Sequence, residues 1–421
     1  MTSGWPSRTF QRLYQALRYV GWARHVVVGV YLRATVEVAA GIMADCPSYS
    51  RILIIRLDEI GDFVLTTPLL RALRARFPAA HISLLTSSTV ASLAYRCPYV
   101  DEIIQFEIRL SPPPFDQIMA LARARRFGQS ELADKEFQCA IIPRADIDNA
   151  CALAMAYYAG IPVRIGYSER VLPLKRIKNA GYDCFLTSAV TSIVGTHEVE
   201  WTLNIGALVG VKSYDRRLEL WPSDGSIAAD LEALAKPEGK GTALVAIAPG
   251  ANLDRRRWPI SRFATVSREL ISQRGITVVI IGGPDDRDLA DRIVMEGEAG
   301  KVLNFAGRLS LDQSASVLRY CQLFIGNDSG PMHIAAAMGV PCLEISCHPK
   351  GGDALAANSP LRFSPWGVDN VVLQPDYAMS PCVDSCTKAY SHCIRKITVD
   401  QVYMAACVLM DKHAVSTATA L

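Results

Sequence analysis

Leu323-Phe324-Ile325, then Gly326-Asn327-Asp328-Ser329-Gly330, then Pro331-Met332-His333-Ile334-Ala335-Ala336-Ala337: an apolar run, a tight polar turn and a second apolar run follow one another without a gap. The first run reads as a short buried strand. Pro331 stands where a helix begins, a position at which its missing N–H costs nothing. Ile334 to Met338 continue as an apolar helix, and Gly339-Val340-Pro341 stops it. The segment is therefore strand, loop, helix. The helix N-terminus offers backbone donors and the positive end of a dipole to an anion such as phosphate. His333 in the first turn adds a side-chain donor, and Asp328 is placed to orient the loop or cap the helix. A capped helix start with no ligand is the plain alternative for this segment alone.

Working outward, the same strand–loop–helix rhythm recurs. Ala243 to Ala248 is a buried strand, followed by a loop through Asn252 and Arg255-Arg256-Arg257 and a helix over 260–274. The strand over 276–281 ends at Gly282-Gly283-Pro284-Asp285-Asp286. Consecutive β-α turns of a parallel sheet lie along one edge. The arginines, Asp285/Asp286 and the 328–333 turn thus share an edge suited to a nucleotide diphosphate: cations for the charge, a helix start for phosphate, a carboxylate for ribose hydroxyls. A solvated basic turn is the simpler account of the arginine trio.

Nearer the N-terminus, Ile52-Leu53-Ile54-Ile55 is a continuous apolar strand of the kind a sheet covered on both faces requires. The loop Arg56-Leu57-Asp58-Glu59-Ile60-Gly61-Asp62 lacks the G-x-G-x-x-G dinucleotide fingerprint and carries three carboxylates instead. A helix is predicted from about Phe63 to Arg76, then a strand at His81 to Thr86. Asp62 reads either as an N-cap or as a loop-tip carboxylate suited to general-base work. Further strands are predicted at 102–104 and 139–142. The 106–130 insertion contains Pro112-Pro113-Pro114 and Arg123-Ala124-Arg125-Arg126, an acceptor-facing basic loop or a solvated helix face.

With 421 residues, half of them hydrophobic, two domains are expected, and a net charge of +3 implies no strong attraction to nucleic acid. Twelve scattered cysteines without a dense framework point to a reducing compartment, read as cytoplasmic. Cys382-x3-Cys386-x6-Cys393 is the one cluster. Its spacing departs from C-x2-C zinc pairs, so it is read as buried thiols with no metal, although His392 stands ready as a fourth ligand. Residues 10–38 mix aromatic and apolar residues with arginines. They fit association with a membrane surface, here the inner membrane, or a helix packed on the domain.

Three blocks, Arg51 to Thr86, Ala248 to Phe263 and Asp328 to Pro341, resemble in order and separation the glycosyltransferase family 9 enzymes, the heptosyltransferases of lipopolysaccharide core synthesis. The resemblance implies an α/β fold of the GT-B type, two facing Rossmann-like domains with parallel sheets and a cleft between them. It divides the chain into an extension (1–49), an acceptor domain (50–215), a sugar-nucleotide domain (216–395) and a terminal helix (396–421) returning to the first domain. It implies inverting transfer of a sugar, heptose from ADP-heptose, to a hydroxyl of a glycan or lipid-linked glycan acceptor, with no cofactor and no metal. Asp62 falls at the family's catalytic base. Asn252, Arg256, Asp286, Leu309, Asp328, Ser329, Gly330 and His333 fall at donor-binding positions, Arg256 where members often carry lysine. Arg56, Asp58 and Arg125 are the acceptor-side candidates. A sugar-nucleotide epimerase of the same plan and a non-catalytic nucleotide- or glycan-binding assembly protein are the alternatives.

Overall fold

A computed structural model describes residues 48–108, 116–212, 215–223, 243–297 and 300–419. The 10–38 stretch considered for membrane association lies outside them. Among the described residues no helix is long and apolar enough to cross a membrane.

The apolar runs form two parallel six-stranded sheets. The first comprises β1 (Arg51–Arg56), β2 (His81–Ser87), β3 (Glu102–Phe106), β4 (Cys139–Ile142), β5 (Val163–Tyr167) and β6 (Ser188–Val190), in the order β3-β2-β1-β4-β5-β6. The second comprises β7 (Leu244–Ala248), β8 (Thr277–Ile280), β9 (Val302–Asn304), β10 (Leu323–Asn327), β11 (Cys342–Ile345) and β12 (Asn370–Leu373), in the order β12-β11-β10-β7-β8-β9. Each is a Rossmann-like doubly wound sheet, and its central strands are buried on both faces, which is why they read as short apolar runs without polar alternation. Ile54 sits in register with Leu84 on one side and Ile141 on the other, and Ile247 with Ile280 and Ile325. Strand order reverses between β1 and β4 and again between β7 and β10. In open α/β sheets ligands bind beyond the carboxyl ends of the strands at such reversals. Here the two reversals face each other.

The single helix expected over 63–76 is two, Ile60–Val64 and Thr67–Arg76. The break falls where Thr66 Oγ1 donates to the Asp62 carbonyl at 2.7 Å and where Pro68, in the first turn of the second helix, has no N–H to give. The basic run 123–126 lies on a helix, Asp116–Phe127.

The terminal helix, Val399–Thr419, corrects the expectation that it returns to the first domain. It packs on Ile260–Arg274 and against β10, β11 and β12, all in the second domain. Val402, Ala406 and Leu409 are buried in that domain's core, and Asp411 and Lys412 pair with Arg274 and Asp369.

Two other segments join the halves. Leu218 and Leu220 of the linker are buried in a cluster that runs from the first sheet's core to Met332 and Ala335, while Glu219 pairs with Arg71 at 2.9 Å. From the second domain, the short helix Pro360–Phe363 sends Arg362, wholly buried, into the first. There it bonds Asp146 at 2.7 Å and Glu198 at 3.0 Å and stacks 4.2 Å from the Trp201 ring.

Candidate active site

The first-domain wall of the cleft is built around Asp62. Glu59 is the N-cap of its helix, and the Glu59 N–H donates to Asp62 Oδ2 at 3.2 Å, one half of a reciprocal capping box. Capping and chemistry are thus not exclusive, because one oxygen serves the cap while the side chain, a fifth exposed, lines the cleft. Oδ1 accepts from Arg56 Nη2 at 2.9 Å. Burial pushes the Asp62 carboxyl up to about 6. Arg56 pulls against that rise, and Glu198 and Asp146 add to it.

Arg56 and Asp58 do not face the cleft. Arg56 is 1% exposed; its Nε lies 3.2 Å from Asp58 Oδ2 and its Nη2 3.6 Å from Glu198 Oε1. A buried guanidinium with five N–H groups needs this many acceptors. Asp58 also pairs with Arg144. The two residues placed on the acceptor side by sequence are therefore the support under Asp62. Arg125 lies apart from the cleft, 5.5 Å from the Tyr158 ring and beside a shallow hollow with Ala122, Arg126, Gln129 and Ser130. The cations on this wall are instead Arg144 and Lys175. Lys175 Nζ donates to the Arg144 and Tyr167 carbonyls at 3.0 and 2.9 Å, and burial lowers its pKa to about 8. Arg144 follows β4, the strand beside β1 at the reversal, so the rule that finds Asp62 would also have found it.

The second-domain wall carries the residues that the sequence places on the donor side. Arg256 Nη1 lies 3.2 Å from Asp328 Oδ2 and Nη2 donates to the Ala357 carbonyl at 3.2 Å. Asp328 thus holds the arginine rather than capping the helix Gly330–Ala337, whose N-cap is Ser329. Burial raises the Asp328 carboxyl, and Arg256 opposes that rise. His333 is 4% exposed with no hydrogen bond to Nδ1, and burial, followed by the charge of Arg256, depresses it to about 4. It is a neutral imidazole at pH 7. Asp286 accepts from the Gly283 N–H at 2.9 Å. A Cβ on Gly250 would sit 2.1 Å from Asp286 Oδ1, so only glycine lets the strand end approach this carboxylate. Below, Asn327 ties the two loops together: Oδ1 accepts from the Trp258 N–H at 3.0 Å and Nδ2 donates to the Pro249 carbonyl at 2.8 Å.

Asn252, Arg256, Asp286, Leu309, Asp328, Ser329, Gly330 and His333 all line one cavity of about 1050 Å³, and Asp62 lines it too. The two walls meet at their tips. A Cβ on Gly61 would fall 2.4 Å from His333 Cδ2, and one on Gly330 would fall 2.9 Å from Ile60 Cβ. The helix bearing the carboxylate and the helix Gly330–Ala337 are in contact, end to end.

Two doubly wound domains, with a carboxylate of raised pKa on one side of the cleft and an arginine-backed helix start on the other, define a GT-B glycosyltransferase. The family model for glycosyltransferase family 9 (heptosyltransferase) matches residues 131–391, more than half of the chain, and the protein belongs to that family. It is 23% identical over 316 residues to lipopolysaccharide heptosyltransferase 2 of Escherichia coli strain K12, covering 70% of this chain and 82% of that one. To lipopolysaccharide heptosyltransferase 3 of E. coli it is 25% identical over 290 residues, with 68% and 80% covered. Among solved structures, a family 9 glycosyltransferase from Veillonella parvula DSM 2008 superimposes with a TM-score of 0.67 at 22% identity, covering 87% of this chain and 98% of that one. The E. coli ADP-heptose lps heptosyltransferase II gives 0.64 at 22%, with 86% and 99% covered. An epimerase or a non-catalytic binding protein is not favoured by these matches.

Proposed function

We propose that this glycosyltransferase moves a heptose from ADP-heptose to a sugar hydroxyl of a lipopolysaccharide core or related cell-surface glycan, inverting the anomeric centre without a metal at the reacting atoms. The observation that carries the reading is the end-to-end contact of the Ile60–Val64 and Gly330–Ala337 helices, which puts Asp62 and His333 on one cavity. The donor follows the names of the relatives and of the E. coli neighbour.

In this mechanism Asp62 accepts the proton of the acceptor hydroxyl. The oxygen attacks the anomeric carbon from the face opposite the diphosphate, forming the new C–O bond as the bond to the leaving phosphate oxygen breaks. Charge growing on the diphosphate meets Arg256, the backbone N–H groups at the Ser329-Gly330 helix start and the N–H of neutral His333. Fixed donors aimed at developing charge are usually the largest catalytic contribution. Asp286 accepts from ribose hydroxyls, Leu309 packs on the adenine side and Asn252 bonds phosphate. Arg144 and Lys175 on the opposite wall favour an acceptor that carries a carboxylate or phosphate.

The test is a panel of ADP, UDP and GDP sugars read by thermal shift, followed by turnover with the bound donor. A ligand of the native state raises its stability. ADP-heptose and ADP raise the melting temperature and UDP and GDP do not. Asp62→Asn loses roughly 100- to 10,000-fold in turnover while keeping donor affinity, and Arg256→Ala weakens donor binding. Added Mg2+ leaves the rate unchanged, and the product has inverted anomeric configuration by NMR. A shift with UDP or GDP alone overturns the donor assignment, and full turnover by Asp62→Asn overturns the base.

A further inference from the structure

Two buried cysteines of the second domain need no chemistry: Cys321 and Cys342 are buried singly, and burial alone pushes the Cys321 thiol up to about 12. The stretch between β12 and the terminal helix is different. It folds back so that the sulfurs of Cys382, Cys386 and Cys393 and a ring nitrogen of His392 all lie within 4.8 Å of one another. None of the four residues is more than 9% exposed. His392 Nδ1 lies 3.7 Å from Cys382 Sγ and 3.4 Å from Cys393 Sγ. Zn–S bonds of ~2.3 Å and Zn–N bonds of ~2.0–2.1 Å at a tetrahedral angle put sulfur about 3.6 Å from nitrogen, between those two separations. Backbone amides already face the sulfurs: the Thr387 N–H donates to Cys382 Sγ and the Met379 N–H to Cys393 Sγ, both at 3.4 Å. Such N–H donors favour the thiolate that a metal requires.

We propose that Cys382, Cys386, Cys393 and His392 form a structural site for one thiophilic divalent ion, Zn2+ or Fe2+. Three soft sulfurs and one imidazole in a buried set of four ligands match a structural rather than a catalytic centre. Binding expels the three thiol protons and leaves His392 neutral. The C-x3-C spacing that argued against a zinc pair in the sequence is accommodated because the chain closes the set with adjacent residues, His392 and Cys393, at the entry to a 3-10 turn.

The site has a task. The Asp384 carbonyl, between the first two cysteines, accepts from the Asp353 N–H at 2.9 Å, and a Cβ on Gly352 would come within 2.3 Å of that oxygen. Residues 353 and 355–357 line the cavity, and the Ala357 carbonyl holds Arg256. On the other flank, the turn Cys393–Lys396 leads to Ile397, whose carbonyl accepts from Trp258 Nε1 at 2.9 Å, two residues beyond Arg256. The ion fixes both supports of the phosphate-binding arginine.

The test measures metal in the full-length chain purified under reducing conditions and dialysed into metal-free buffer, so it does not depend on which sugar nucleotide is bound. Elemental analysis finds about one zinc or iron per chain. Co2+ replacing the ion gives the intense visible bands of a tetrahedral, sulfur-ligated centre. Cys386→Ser and His392→Asn each lower the bound metal, and stripping the wild-type chain with a thiol-reactive mercurial in the presence of a chelator lowers its melting temperature. Because Cys386→Ser can fail to fold, the wild-type stoichiometry and the Co2+ spectrum stand on their own. A chain that holds no ion as purified and takes up none from added Zn2+ or Fe2+ overturns the site.

Discussion

The proton affinity of Asp62 is set by a contest visible in its neighbours. Burial raises it, Arg56 lowers it, and the balance lies near 6. A general base works only when ionised, so kcat/KM should fall as pH drops through about 6, well above the range of an exposed aspartate. His333, depressed to about 4, stays neutral from pH 5 to 8 and adds no second limb there. Because Arg56 is the charge that holds the limb down, Arg56→Met should move it to higher pH. Arg56→Lys, which keeps the charge but not the fork that reaches Asp58, Asp62 and Glu198 together, should move it less. The measurement is the pH profile of kcat/KM for the three proteins; a limb that stays in place in both variants would separate Arg56 from the titration of Asp62. Asp62 and His333 were readable in the sequence because each lies in a loop that joins a recognisable strand to a recognisable helix. Arg56 was not, because a charge at the end of a strand looks like a ligand until its partner Glu198, far along the chain, is known to be folded against it.

At the scale of elements, the strands were legible as continuous apolar runs, and the start of the 330–337 helix was legible from Pro331. What no local pattern could reveal is that this helix meets the Ile60–Val64 helix tip to tip. The meeting depends on two residues without side chains. Gly61 and Gly330 each occupy a place where a Cβ would fall inside the van der Waals contact of the opposite helix, on His333 and Ile60. Gly61→Ala should therefore push the imidazole from the position proposed to serve the leaving diphosphate. We expect kcat to fall at least tenfold, corresponding to about 1.4 kcal/mol of lost transition-state stabilisation, with the first domain still folded. Steady-state kinetics together with a thermal melt check this; an alanine variant with wild-type kcat would show that the helices part at no catalytic cost. The terminal helix teaches the converse lesson. Its fate was decided by Val402, Ala406 and Leu409, which find an apolar partner on the second sheet, and the pattern alone did not specify which sheet that would be.

For the whole molecule, two sheets with the same internal strand order were foreseeable from repeated β-α units, but the joint between them was not, because its contacts link residues distant in the chain. That joint centres on Arg362. It reaches from the second domain to Asp146 and Glu198 of the first, and Glu198 in turn lies beside Arg56, which holds Asp62. An unbroken run of ion pairs thus connects the second domain to the proposed base. Replacing Arg362 by methionine leaves Glu198, 3% exposed, facing an apolar group. Breaking a buried pair from one side typically costs ~3–5 kcal/mol, and because Arg56 still lies 3.6 Å from Glu198 the loss here falls at the lower end of that range. The variant should melt at a lower temperature, with the decrease arising at the domain joint rather than inside either sheet. In the proposed mechanism donor contacts lie on the second domain and the base on the first, so affinity for the sugar nucleotide should change little while kcat falls. Thermal unfolding, donor titration and kinetics on Arg362→Met resolve these effects. Unchanged melting and unchanged kcat would mean that the apolar cluster around Leu218, Leu220 and Met332 holds the halves in register without the arginine.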